Sequence, residues 1–233
     1  MSLKGGAIMS IGVNLGDPNF TSYKRSDPIS LDDLIGQGVL DEPMKDFLLT
    51  SVENRHSILI IGPTALGMTS LLNALSQQIN PDERIVQIEK NKEIVFTHRV
   101  IRKKLEYGAH ELPSSVIKKA LKHRPDRVIW DVIRSKDDFG LLLVPYMGHS
   151  ILTTMVSENI ELATKKLIEL VSGSGKISPV QIPRFITKSI NIIVSLERIA
   201  DGKENLLEIS EFVVDDSGSL TTNTLIKIQS GNK

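Results

Sequence analysis

The residues with the clearest chemical promise are Gly62, Gly67, Thr69 and Ser70, in the stretch "IIGPTALGMTS". Glycines spaced this way let successive backbone N–H groups curl around a phosphate, and a helix starting there adds the positive end of its dipole. Thr64 lies within the same turn, and Thr69 holds the position whose hydroxyl ligates magnesium in such loops. The lysine that would neutralise the outer phosphates is missing. Met68 stands in its place, and a thioether is uncharged and at best a weak acceptor. Without the lysine, the spacing alone recurs by chance in about one chain in eight of this size. Its weight therefore comes from context, because the match falls between a β-branched strand and an apolar helix, as phosphate binding requires. The plain alternative makes Met68 a core methionine in an ordinary strand–turn–helix connection. "SGSGKIS", Ser172 to Ser178, also pairs glycine with lysine, but it follows a helix and reads as a plain loop.

Charged groups elsewhere could complete a phosphate site. Lys90 ends a strand expected near the loop strand, where its ammonium would substitute for the charge missing at Met68. The competing readings are a solvated lysine or one paired with Asp131 or Glu93. Thr69 with Asp131 is the candidate magnesium set. His149 follows Gly148 and is a further pocket candidate, although no second histidine or cysteine lies near it to share a metal. Arg99, Arg102 and Arg134 have the chemistry to reach phosphates or a neighbouring subunit; surface ion pairs are the simpler reading.

These side chains need a scaffold, and the periodicity supplies one. Ser30 followed by Asp33 signals a helix start, and Met44, Phe47, Leu48 and Val52 recur at helical spacing. "SILIIG" (57–62), "RIVQIE" (84–89), "EIVFTHRVIR" (93–102), "RVIWDVI" (127–133) and "SILTTMV" (150–156) read as strands. Helices are expected over 68–79, from Ser114 to His123, over 158–171 and over 180–189. "INIIVSLERI", "LLEISEFVVD" and "NTLIKIQ" close the chain as antiparallel strands. Alternating strands and helices imply an α/β fold with a mainly parallel, twisted sheet and helices on both faces. Residues 1–28 form a separate strand-and-loop segment ahead of a domain spanning 29–233. The 28 Lys and Arg balance 28 Asp and Glu, so no net field gathers nucleic acid, and no direct nucleic-acid partner is expected. No apolar run approaches the roughly 20 residues of a membrane span. The absence of cysteine fits a reducing compartment. A cytoplasmic location follows as the expectation.

Taken in order, "GPTALGMTSLLNAL", "PDERIVQIEKNKEI", "ALKHRPDRVIWDVIR", "GHSILTTMV" and "INIIVSLERIADGKENLLEISEF" resemble the secretion ATPase superfamily, over about Ser30 to Phe212. Its members are the ring-forming motors of type II and type IV secretion, type IV pili and conjugation. The resemblance implies a RecA-like P-loop NTPase fold, ATP and magnesium as cofactors, related subunits as partners, and secretion or pilus machinery at the inner membrane. The family's motors also carry a sizeable N-terminal domain, of which "AIMSIGV" is the expected remnant.

The departures fall on the chemistry. Met68 replaces the loop lysine. Lys90 replaces the acid that follows Glu89 in the family's Asp box, while Glu89 and Glu93 match and, with Asp131 and His149, are the catalytic candidates that the resemblance implies. Val132 replaces the Walker B glutamate, with Asp131 one residue early and expected on the opposite face of its strand. Gly148 and His149 match the His box, but Val156 replaces its second histidine. The expectation is a chain that keeps the scaffold and loses hydrolysis, a structural or regulatory pseudo-ATPase. The alternative is an ATPase, or a nucleotide-binding subunit, with an unconventional site.

Overall fold

The computed structural model describes residues 28–63, 65–90, 93–97, 101–106, 111–198 and 204–227. "AIMSIGV" and Arg99 lie outside them. Helix α1 (Leu31–Gly36) begins in the capping box expected at Ser30: its hydroxyl accepts the Asp33 N–H at 3.0 Å, and the Asp33 carboxylate accepts the Ser30 N–H at 2.9 Å. Helix α2 (Glu42–Glu53) is capped by Asp41, whose carboxylate accepts the Met44 N–H, and it buries Met44, Leu48 and Val52.

Strand β1 (Ile58–Gly62) is buried throughout and leads into α3 (Ala65–Ser76). The chain continues through β2 (Arg84–Glu89), β3 (Ile101–Glu106), α4 (Pro113–Leu121), β4 (Arg127–Ile133) and the short α5 (Phe139–Leu142). It ends through β5 (Ser150–Val156), α6 (Ile160–Gly173), α7 (Ile182–Ser189), β6 (Ile192–Arg198), β7 (Glu204–Val214) and β8 (Leu220–Lys227). The eight strands among the described residues form one sheet in the order β3-β2-β4-β5-β1-β6-β7-β8. Pairing is parallel from β3 to β6 and antiparallel from β6 to β8.

Two cores follow from the period-2 alternation of the strands. On β1, Ile58 and Ile60 join Leu71, Leu72 and Leu75 of α3 together with residues of α1 and α2. Leu59 and Ile61 face the other way, toward Val116 of α4, Leu167 of α6 and Phe185 of α7. Each such buried aliphatic contributes about 1.5–3 kcal/mol, so the central strand is held from both sides.

Two segments differ from expectation. The third strand lies at 101–106, whereas 93–97 is irregular. Side chains occupy the backbone groups that a strand ladder would use: Glu89 accepts the Glu93 and Ile94 N–H groups at 3.0 and 2.9 Å, and Asn73 accepts the Val95 N–H at 2.9 Å. Short helical turns at 136–138, α5 and 145–147 fill a stretch without a helix-length apolar period. Ser135 and Asp138 form a capping box there, a signal the sequence does carry.

Candidate functional site

In an open α/β sheet, ligands bind beyond the carboxyl ends of the strands, where neighbouring connections leave in opposite directions. That point is here the gap between β1 and β5. From β1 the chain passes through α3 on one face toward β2; from β5 it passes through α6 and α7 on the other face toward β6. Gly62 and Val156 are register partners at the mouth of this gap, and the Ser157 N–H donates to the Gly62 carbonyl at 2.9 Å.

The sequence-predicted loop residues gather at this mouth. Gly67, Thr69 and Ser70 are half-buried in the first turns of α3, while Thr64 lies outside the described residues. Gly62 has a packing reason to be glycine, since a Cβ there would stand 3.2 Å from the Leu196 Cβ and 3.2 Å from the Met68 Cγ. Met68 is 1% exposed and belongs to the core on the α3 face. It therefore packs beneath the loop as a core side chain.

The other candidates do not converge on the loop. β2 is separated from β1 by β4 and β5, which places exposed Lys90 about 14 Å from the loop strand by strand spacing. The expected closeness of those two strands does not hold. Glu89 is fully buried and committed to structure: it accepts the two loop amides and the Gln87 side-chain N–H, and it pairs with Lys104. Glu93 is exposed, and its carbonyl accepts the Asn73 amide N–H at 2.9 Å. His149 precedes β5, at the amino end of that parallel strand and so at the sheet edge opposite the loop; Gly148 at φ +84° closes the turn before it.

Asp131 sits in a β-bulge. The β4–β5 register shifts between Trp130 and Ile133, so Asp131 and Val132 together face the stretch around Thr154. Strict alternation, assumed in placing Asp131 on the face opposite to Val132's position, fails at this bulge. Trp130 and Ile133, three residues apart, consequently share one core. The Asp131 carboxylate accepts the Val132 N–H at 2.7 Å and the Lys90 N–H at 3.1 Å, and it lies 3.5 Å from the Arg134 guanidinium. It ties the ends of β2 and β4 together. Arg102 is likewise engaged, donating to the Gln87 side-chain Oε1 at 3.0 Å and covering the Phe96 ring at 5.1 Å. Among the described residues, no group of three or more His, Asp or Glu side chains is placed to hold a metal.

The start of α3 offers N–H groups of the kind that receive an anion, with Thr69 in its first turns, whereas the Asp131 carboxylate is engaged at the ends of β2 and β4. One cation at the mouth escaped the sequence reading. Lys166 on α6 donates from Nζ to the Val156 carbonyl at 2.8 Å. No motif marks it, because only the packing of α6 along β5 brings residue 166 to residue 156.

The opposite edge of the sheet holds a depression of about 470 Å³, lined in part by Glu53, Arg55, Gln77 and Glu83. Its charges are used on one another. Arg55 lies 3.6 Å from Glu83 and 3.4 Å from Asp126, and buried Arg127 donates to Glu83 at 3.2 Å and to the Val52 carbonyl at 2.7 Å. Burial pushes the Arg127 guanidinium below its ordinary value, opposed by Glu83.

Comparison with known proteins agrees with this topology. The family model described as "Type II/IV secretion system protein" matches residues 23–222. The type IV secretion system protein VirB11 of Bartonella henselae is 30% identical over 172 residues, covering 70% of this chain and 48% of VirB11. A probable conjugal transfer protein TrbB of Sinorhizobium fredii is 26% identical over 203 residues, covering 84% of this chain and 61% of TrbB. The first relatives matched are covered over only 33% and 61% of their own lengths. Among solved structures, the VirB11 ATPase of Brucella suis in complex with sulphate superimposes with a TM-score of 0.66 at 20% identity, over 82% of this chain and 64% of that one.

Proposed function

This chain belongs to the type II/IV secretion system protein family, and from that premise we propose that it is a subunit of a secretion, pilus or conjugation machine that does not hydrolyse ATP and serves a structural or regulatory role. The observation that carries this reading is Met68, uncharged and 1% exposed where the family's loop lysine stands. Three neighbouring facts support it. Val132 and Val156 offer neither proton nor ligand, and the Asp131 carboxylate is engaged between β2 and β4. A general base or a magnesium ligand needs a carboxylate within hydrogen-bond reach of water or metal. Related subunits and the inner-membrane machinery are the proposed partners, met from the cytoplasmic side. Among the described residues no helix is long and apolar enough to cross a membrane. Phosphate release from ATP with magnesium tests the proposal. No turnover above buffer is expected; turnover abolished by Thr69→Ala would overturn it.

A second reading has its own support: the loop holds a nucleotide without cleaving it. The Gly62 loop and the first turn of α3 remain at the switch point of the sheet, where amides can cradle phosphate without the lysine. The two readings are compatible, since binding needs only the cradle.

A further inference from the structure

A loop that holds phosphate without its own lysine leaves an excess of negative charge at the mouth between β1 and β5. We propose that Lys166 supplies the compensating cation, taking the polyphosphate of a nucleotide from the α6 side of the gap. This inference rests on the nucleotide-holding reading of the loop.

Lys166 projects from α6, whose Ala163, Leu167 and Leu170 pack on the face opposite α3. Its ammonium donates to the Val156 carbonyl at 2.8 Å. Val156 is the register partner of Gly62, and the next residue, Ser157, bonds the Gly62 carbonyl at 2.9 Å. With strands about 4.8 Å apart, the ammonium rests within about 10 Å of Gly62. The exposed four-carbon stem is free to change rotamer, which would move the ammonium toward a phosphate seated over the loop.

The ammonium also has donors to spare. One of its three N–H groups meets the Val156 carbonyl, and among the described residues no carboxylate pairs with it. The residue is exposed, so its charge is hydrated and available. Among the other cations weighed for the site that the structure describes, Lys90 stands three strands from β1, Arg102 is engaged with Gln87 and Phe96, and Arg134 lies 3.5 Å from Asp131, while Met68 is buried and neutral. Lys166 joins a positive charge to a position at the mouth. Its anchor is the residue that replaces the family's second His-box histidine.

Isothermal titration calorimetry of the full chain, with ATP as probe and adenosine as a phosphate-free control, tests this. Lys166→Ala should weaken ATP binding about tenfold or more, leave adenosine unchanged, and reduce the dependence of ATP affinity on salt. Lys166→Arg should stay within about threefold of the parent, because it keeps the charge. Lys90→Ala should have no effect. Circular dichroism melting confirms that each variant folds. Unchanged ATP affinity in Lys166→Ala overturns the role of Lys166 while leaving the nucleotide-holding reading standing. Absence of ATP binding to the parent chain at millimolar concentration overturns both.

Discussion

Met68 occupies the space that a side chain on Gly62 would enter, and that relation is where an altered phosphate loop can be measured. Met68→Ala removes a fully packed side chain and should cost about 2–4 kcal/mol in urea unfolding. Gly62→Ala brings a methyl to 3.2 Å from both Met68 and Leu196. The Leu196 Cβ is fixed by its strand, whereas the Met68 chain can yield. Gly62→Ala alone should therefore destabilise by about 1–2 kcal/mol, and by clearly less in the Met68→Ala background. A double-mutant cycle reads the difference, and additive penalties would show that the pair is not in contact. At Glu89 the outcome differs in kind. Removing a buried carboxylate that holds two amides and Lys104 leaves them unpaired, so Glu89→Ala should cost about 3 kcal/mol or more.

At the scale of elements, α3 does more than present a loop. Asn73 and Gln77, one turn apart, take the backbone of 93–97 as a neighbouring strand would. Asn73 exchanges bonds with Glu93 and Val95, and Gln77 accepts the Thr97 N–H at 3.0 Å. Asn73→Ala should release this segment, seen as faster amide exchange at Val95 with the rest of the sheet protected. Much of the architecture was legible beforehand. Every parallel strand but one announced itself through β-branched runs, and the Ser30 cap and the α6 stripe formed where their patterns placed them. The third strand was misplaced, because nothing in the apolar rhythm of 93–102 shows that Glu89, Asn73 and Gln77 would occupy its backbone. The site was legible only at the loop. Strand order set Lys90 three strands from β1 and His149 at the far edge, and order across a sheet is a long-range property that local pattern does not encode. The bulge at Asp131 was hidden for a related reason, as register belongs to a pair of strands.

The whole molecule carries equal positive and negative charge, and an ionic cluster of Arg55, Glu83, Arg84, Asp126 and Arg127 lies at the edge remote from the loop. The Arg84 N–H, joined by the Arg55 and Arg84 guanidiniums and opposed by burial, holds the Asp126 carboxyl below its ordinary value of 3.8. A carboxylate lowered on folding stabilises the fold at pH above its unfolded value and loses that contribution as pH falls through the folded value. The chain should thus lose stability as acid carries the pH through and below 3.8. Asp126→Asn should be less stable at neutral pH, by about 1–2 kcal/mol, and should show a shallower acid decline in melting temperature; a parallel decline would exclude Asp126 as the cause. Strand order has a consequence in time as well as in space. β1 is made before every other strand of its sheet among the described residues, yet its two sheet partners begin only at Ser150 and Ile192. On a ribosome, the run Ile58–Ile61 must wait for β5 before one edge can be paired and for β6 before the other, while β6, β7 and β8 can zip locally as soon as they emerge. The central strand is thus the segment most exposed to mispairing during synthesis, and a chain halted before β6 would present it with one edge open to aggregation.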